Sequence, residues 1–266
     1  MRNTSWQKVA DWYDKHLGKS GEGTYHKEVI LPEILALLQS EFPENSSAHT
    51  GSSPLILDLA CGQGIITREL DKLGFKVSGL DLAADLIVAA KKYSNKHINY
   101  LTGDARQASK YFPGQKFNAI LCVLAIQNIA EAELVISESK KLLATNGKLI
   151  IVINHPCFRI PRQSNWGWDE SKKLQYRRID LYGTSLSIPI ESRPFKARKD
   201  ANIKNEITWS FHRPLNYYFD ILAKQGLSVN GLKEWYSNKT SEPGGKAKAE
   251  NAARQEFPLF LCFVAN

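Results

Sequence analysis

One ten-residue stretch constrains the fold more than any other: Leu55-Ile-Leu-Asp-Leu-Ala-Cys-Gly-Gln-Gly64. An apolar run ends in an acid, Asp58, and a tight turn with two glycines, Gly62 and Gly64, follows. Ile65, Ile66, Leu70 and Leu73 then recur at helical spacing. Strand, glycine turn and helix is the reading that satisfies all three segments. A strand that is apolar on both faces needs cover on both, so the chain is committed to a layered α/β domain.

Glycines in such a turn let a ligand approach the backbone at the carboxyl end of a strand, where the following helix offers unpaired N–H groups. A dinucleotide site wants G-x-G-x-x-G and no anion beside the pyrophosphate. Here Thr67 stands at the third glycine position and Asp58 just before the turn. Asp58 would repel a phosphate and welcome an ammonium. S-adenosylmethionine (SAM) has no phosphate and carries a cationic amino-acid end, so it is the expected cofactor. Taken alone, the glycines also fit a purely structural turn.

Strands and helices keep alternating. Lys76–Leu80 reads as a second strand ending in Asp81, with a helix over Ala83–Tyr93. Ile98–Thr102 is a third strand followed by Gly103-Asp104-Ala105, and Phe117–Leu124 a fourth, apolar on both faces. Glu131–Ala144 is an amphipathic helix stopped by Asn146-Gly147, and Lys148–Ile153 a fifth strand. Consecutive β-α units predict a parallel sheet whose ligands bind at the carboxyl strand ends, where Asp58, Asp81, Asp104, Asn128 and His155 fall. Before this region, Glu28–Gln39 reads as a helix, so residues 1–42 form an expected N-terminal helical cap and the polar run 43–54 a linker.

The 266 residues are 43% hydrophobic and 23% charged, with no apolar run approaching the ~20 residues of a membrane span. The first residues lack a signal-peptide apolar region, so a cytoplasmic protein is expected. Cys61, Cys122, Cys157 and Cys262 form no C-x-x-C pair and no metal-ligand spacing with histidine; they read as reduced thiols, and no metal is expected.

Asp58-Leu-Ala-Cys-Gly-Gln-Gly64, Asp81, Gly103-Asp104-Ala105 and Val123–Ile129 together resemble class I SAM-dependent methyltransferases of the bacterial small-molecule type. The resemblance covers about Leu55 to Asn154. It implies a Rossmann-like, doubly wound seven-stranded sheet of order 3-2-1-4-5-7-6 with the last strand antiparallel. Leu227–Trp235 and Phe257–Val264 match the last two strands, and Leu215–Gln225 the helix before them. It also implies that Asp58, Cys61, Gly62 and Gly64 hold the methionine end, Asp81 the ribose, and Asp104 with Ala105 the adenine. Ala60 and Leu82 complete the expected cofactor site.

The departure from that pattern lies after the fifth strand, where residues 155–213 intervene before the domain resumes at 214–266. Alternating runs at Leu174–Asp180, Leu186–Ile190 and Glu206–Phe211 predict a small sheet, read as a substrate lid with a dimerisation arm as the alternative. Between Arg159 and Lys204 there are eleven basic residues against five acids, much of the net charge of +8. A solvated face, an anionic small substrate or an RNA backbone would each suit that charge. The preferred acceptor is an oxygen or nitrogen of a small molecule, with an RNA methyltransferase or a non-catalytic SAM-binding protein as alternatives. His155 and His212 are the candidate proton acceptors. Tyr13, Tyr25, His26 and Asn128 are the candidate acceptor-binding residues, and Ser237–Gln255 reads as a mobile loop near the pocket.

Overall fold

The structure is a computed structural model that describes residues 6–18, 24–43, 53–191 and 207–266. Five strands carry the first half of the domain: β1 (Leu55–Leu59), β2 (Lys76–Asp81), β3 (Asn99–Thr102), β4 (Phe117–Val123) and β5 (Leu143–Asn154). Helices α3 (Ile65–Lys72), α4 (Ala84–Tyr93) and α5 (Ala132–Leu142) fill three of the connections. After a long excursion, α6 (Leu215–Lys224), β10 (Val229–Trp235) and β11 (Phe260–Ala265) close the chain. The sheet order is β3-β2-β1-β4-β5-β11-β10, the order expected once β10 and β11 are counted as sixth and seventh. β11 runs antiparallel to both neighbours, and the β1, β2, β3, β4 and β5 pairings are parallel.

Period-two alternation explains why this sheet needs two covered faces. Along β4, past a register shift between Phe117 and Ala119, Ile120 and Cys122 enter one core with α5 and α6, and Ala119, Leu121 and Val123 enter the other. Along β5, Leu149, Ile151 and Ile153 alternate in the same way with Ile150 and Val152. The second core is covered by α3 and by α2 (Leu31–Glu41), through Ile66, Leu70, Ile34 and Leu38. Each such fully buried side chain contributes ~1.5–3 kcal/mol relative to exposure.

The N-terminal segment is tied to this domain. Helix α1 (Ala10–Leu17) packs on α4 through Ala10, Ala83 and Leu86, and Tyr93 Oη donates to Asp14 Oδ2 at 3.1 Å. Gln63 Nε2 donates to the Gly18 carbonyl at 3.1 Å. The single helix expected over Glu28–Gln39 is instead a π turn, His26–Ile30, running into α2 with Pro32 in its first turn. Pro32 has no N–H to give and its ring crowds the carbonyl four residues back, so the backbone widens for one turn ahead of it. Most of the expected linker, 44–52, lies outside the described residues.

The described residues of 155–213 form two separate hairpins rather than one small sheet. β6 (Ser164–Asp169) pairs with β7 (Leu174–Ile179), and β8 (Leu186–Glu191) with β9 (Ile207–His212). The expected loop at Ser237–Gln255 is corrected as well, because α7 (Ala247–Glu256) occupies its second half. α7 rests against β7, with Lys246 Nζ 4.7 Å from the Trp168 ring and Trp166 edge-on to Phe257 at 5.5 Å. No helix among the described residues is long and apolar enough to cross a membrane.

Candidate active site

Parallel strands point their carboxyl ends at one rim of the sheet, and there the chain makes its sharpest turns. Ala60 (φ 57°) leaves β1 in left-handed conformation, as do Gly62 and Gly64 (φ 56° and 76°). Leu124, just after β4, does the same at φ 52°. A non-glycine residue held there stores strain, which recurs at ligand sites. Asp81, at the end of β2, organises the glycine turn: its Oδ2 accepts from the Gly62 N–H and its Oδ1 from the Ala83 N–H, both at 2.8 Å.

Gly64 caps α3 and lies so close to the Tyr100 phenol that an added Cβ would overlap it. Gly64→Ala therefore meets both the left-handed penalty of ~1–2 kcal/mol and a buried aromatic ring. Denaturant titration of Gly64→Ala is expected to show a loss of at least that size, and an unchanged midpoint would refute it.

Three compartments meet along this rim. The first is lined by Ala60, Gly62, Asp81, Leu82, Asp104, Ala105 and Asn128. A second, smaller one reaches Asp58, Cys61, Gln63 and Ile65 beneath the glycine turn. The third lies under the hairpin β8/β9 and contains Tyr25, His26, Gln127, Asn128, Arg159 and Phe260. Tyr13 lines all three, and His26 lines the second and third. Eight of the nine residues expected to hold a cofactor line the first two compartments, Gly64 being the exception at the start of α3, and the four expected to touch an acceptor all border the third.

The electrostatics of the first two compartments are those of a site waiting for a cation. Asp58 and Asp81 are 2% and 8% exposed. Burial, then the charge of Asp81, pushes Asp58 up to about 7 against the hydrogen bond from Thr67 Oγ1 at 2.6 Å. Burial also raises Asp81, although the Ala83 and Gly62 N–H groups oppose it. Neither carboxylate has an ion-pair partner among the described residues. Tyr13 is driven up by burial and by both of these acids, which keeps it a neutral phenol. Asp104 differs. Burial pushes it upward, but the Arg106 guanidinium, 2.6 Å away through Nη2, holds it below the ordinary carboxylate range. Arg106 also binds Glu131 at 2.6 Å, which fixes the third strand end to the start of α5.

The two histidines expected to accept a proton lie outside the three compartments. His155 is 3% exposed and lines none of the three compartments. Its Nδ1 accepts from the Cys157 N–H at 3.2 Å, which leaves the proton on Nε2, and that donates to Glu234 Oε1 at 2.8 Å. His212 is similarly buried, and its Nε2 donates to the Tyr182 carbonyl at 2.8 Å. Burial lowers both against these bonds. Both rings order the stem of the insertion. His155→Ala is expected to lower stability by ~1–3 kcal/mol through the orphaned Cys157 N–H and to leave cofactor affinity unchanged. A large loss of kcat at unchanged Tm would restore a catalytic role.

Three residues escaped the sequence reading. Arg213, 6% exposed, donates to the Ile129 and Ala130 carbonyls at 2.7 and 2.6 Å, so it clamps the 3-10 turn that presents Asn128. Gln127 and Arg159 border the third compartment, each with a buried polar atom that has no partner among the described residues. Gln127 had a readable signal, since it directly follows a strand end beside Asn128; Arg159 had only its membership in a basic run. Asn128 itself donates from Nδ2 to the Leu124 carbonyl at 3.1 Å, which sets its rotamer.

Comparison with known proteins agrees with this geometry. Residues 57–151 match the family model described as a methyltransferase domain. The chain is 25% identical over 234 residues to a ubiquinone biosynthesis O-methyltransferase of Rickettsia akari, covering 83% of this chain and 89% of that one. A protein of the same description from Coxiella burnetii is 30% identical over 97 residues, covering 35% of this chain and 41% of its own length. Among solved structures, an S-adenosylmethionine-dependent methyltransferase from Mesorhizobium loti superposes with a TM-score of 0.60 at 20% identity, covering 85% of this chain and 97% of that one. One from Clostridium acetobutylicum gives 0.58 at 19% identity, covering 98% of both chains. The sheet order is that of the class I SAM-dependent methyltransferase fold, and the glycine turn and strand-end acids fall within the residues that match the methyltransferase domain.

Proposed function

We propose that this enzyme methylates an oxygen or nitrogen of a small molecule held in the third compartment. The observation that carries the proposal is the continuity of that compartment with the cofactor cleft, through Tyr13, Trp6, Leu124 and Asn128. Its cavity volume of about 630 Å³ suits an enclosed small molecule, for which ~300–1,000 Å³ is usual. Ile190, Thr208 and Ser210 of the inserted hairpin form one wall, so this part of the insertion serves as a lid over residues 55–154 and 214–266. The O-methyltransferase relatives support the same acceptor class.

The buried, cation-free pair Asp58 and Asp81 fits SAM, whose amino-acid end is cationic. In this reading Asp58 pairs with the ammonium, and Cys61, Gly62 and Gly64 bring backbone against the methionine end. Asp81 keeps acceptor capacity for the ribose hydroxyls, and Asp104 and Ala105 border the adenine with Ala60 and Leu82 alongside. When bound, SAM supplies a methyl on a sulfonium that is displaced in line by the acceptor. The protein's share is to align the acceptor, exclude water and receive a proton. Among the described residues, His26 is the imidazole at the junction of the methionine and acceptor compartments, and we assign it the proton. Tyr13 remains neutral and positions the acceptor.

The RNA reading is weakened by the insertion's described charges. Lys173 pairs with Glu170 at 2.7 Å and Arg178 with Asp180 at 2.9 Å, and Arg177 Nε donates to the Phe158 carbonyl. Five of the eleven basic residues lie outside the described residues. Incubation with methyl-labelled SAM and separate pools of metabolites and total RNA tests the proposal. Label is expected in a small-molecule fraction; label confined to RNA would overturn it.

A further inference from the structure

The third compartment contains two cations and no acid among its described lining residues: Arg159 and Lys239 face no aspartate or glutamate there. Arg159 Nη1 is buried with no hydrogen-bond partner among the described residues, and Gln127 Oε1 in the same cavity is equally unsatisfied. Burial lowers Arg159, and the like-charged Arg177 nearby lowers it further. Arg177, itself a cation and a donor only, adds repulsion and directs its own N–H groups to the Phe158 carbonyl and Ser164 Oγ. A guanidinium does not lose its proton in proteins, so what this site lacks is an anion rather than a base.

The surroundings define the rest of the ligand. The Arg159 guanidinium lies 5.1 Å from the centre of the Phe260 ring, and Phe260 meets Tyr25 edge-on at 5.7 Å. Lys239 Nζ sits 4.8 Å from the centre of the Tyr25 ring, and Tyr25 Oη is hydrogen-bonded to Ser237 Oγ at 3.1 Å. One wall of the cavity is therefore an edge-on pair of aromatic rings with a cation beside each. Such a wall takes an apolar or cyclic body along the rings and an acidic group at the guanidinium.

We propose that the methyl acceptor carries a carboxylate, bound by Arg159, with Lys239 as a second, exposed cation and the Tyr25–Phe260 pair against its apolar body. The assignment rests on the methyltransferase reading above and narrows its acceptor to an organic acid. Arg159 is a specificity residue in this scheme. It binds the end of the acceptor remote from the cofactor turn, and the rate of the chemical step depends on it only through alignment.

The test uses the full chain saturated with S-adenosylhomocysteine, and titrates 3-phenylpropionate and its neutral isostere 3-phenylpropionamide by ligand-observed NMR. The acid is expected to bind at least tenfold tighter than the amide, equivalent to about 1.4 kcal/mol. Arg159→Met should abolish the preference with S-adenosylhomocysteine affinity unchanged, and Arg159→Lys should keep part of it. Unchanged cofactor affinity in the variants also shows that they fold. Equal affinity for acid and amide, no binding of the acid, or a preference that survives Arg159→Met would overturn the assignment while leaving the methyltransferase reading intact. Failure of S-adenosylhomocysteine to bind the parent protein would overturn both.

Discussion

Asp58→Asn is expected to weaken SAM binding by two to three orders of magnitude and, at the same time, to stabilise the ligand-free protein above neutral pH. The first effect follows from leaving an ammonium in a buried site without its carboxylate, a loss of ~3–5 kcal/mol. The second follows from linkage. Asp58 stands at about 7 in the folded, ligand-free protein and near its ordinary value of 3.8 when unfolded. The native state therefore holds the proton more tightly, and the stability it contributes is lost as pH rises from about 4 through 7. The full shift corresponds to roughly 4 kcal/mol, the upper limit of the gain, and Asn retains an oxygen to accept from Thr67. Binding a cation reverses the preference: SAM pairs with the ionised form, so binding releases a proton and affinity rises with pH up to about 7. Calorimetric titration in buffers of different ionisation enthalpy measures that proton directly. A pH-independent affinity, or a variant that binds SAM normally, would remove Asp58 from the methionine end.

The parts of this site that were legible in the sequence are those whose chemistry is local. An acid before a glycine turn states its ligand preference within seven residues, and Asp81 and Asp104 are marked by strand ends close at hand. The alternating cores were readable in β4 and β5 because strands buried on both faces carry unbroken apolar runs. What stayed hidden depended on distant partners. His155 looked available at the end of β5, and its partner Glu234 comes 79 residues later on β10. Helix α7 gave no apolar stripe because the one residue it fully buries is Ala253. The two-hairpin form of the insertion was obscured by Ser164–Asp169, where Trp166 and Trp168 alternate with polar residues yet pair with β7. Arg159 could not be separated from ten other basic residues by composition. Only its enclosed position beside Phe260 singles it out.

His26→Ala is expected to lower kcat by 10²- to 10⁴-fold on a hydroxyl acceptor while SAM affinity changes little. The residue owes its position to the π turn ahead of Pro32, which carries Tyr25 and His26 into the rim instead of continuing a regular helix. Of the neighbouring groups, Tyr13 is held as a neutral phenol by burial and then by the two acids beside it, and His155 and His212 are engaged in their own hydrogen bonds outside the three compartments. A neutral imidazole acting as base produces an acid limb in the pH profile of kcat, and that limb should vanish in the variant. His26→Gln, which preserves polarity and approximate volume, should behave like Ala if proton transfer is the role. If it instead restores most of the activity, His26 positions the acceptor and the proton leaves by another route. An acceptor whose nucleophile is already deprotonated should react equally well with parent and variant, which separates the two roles in one experiment.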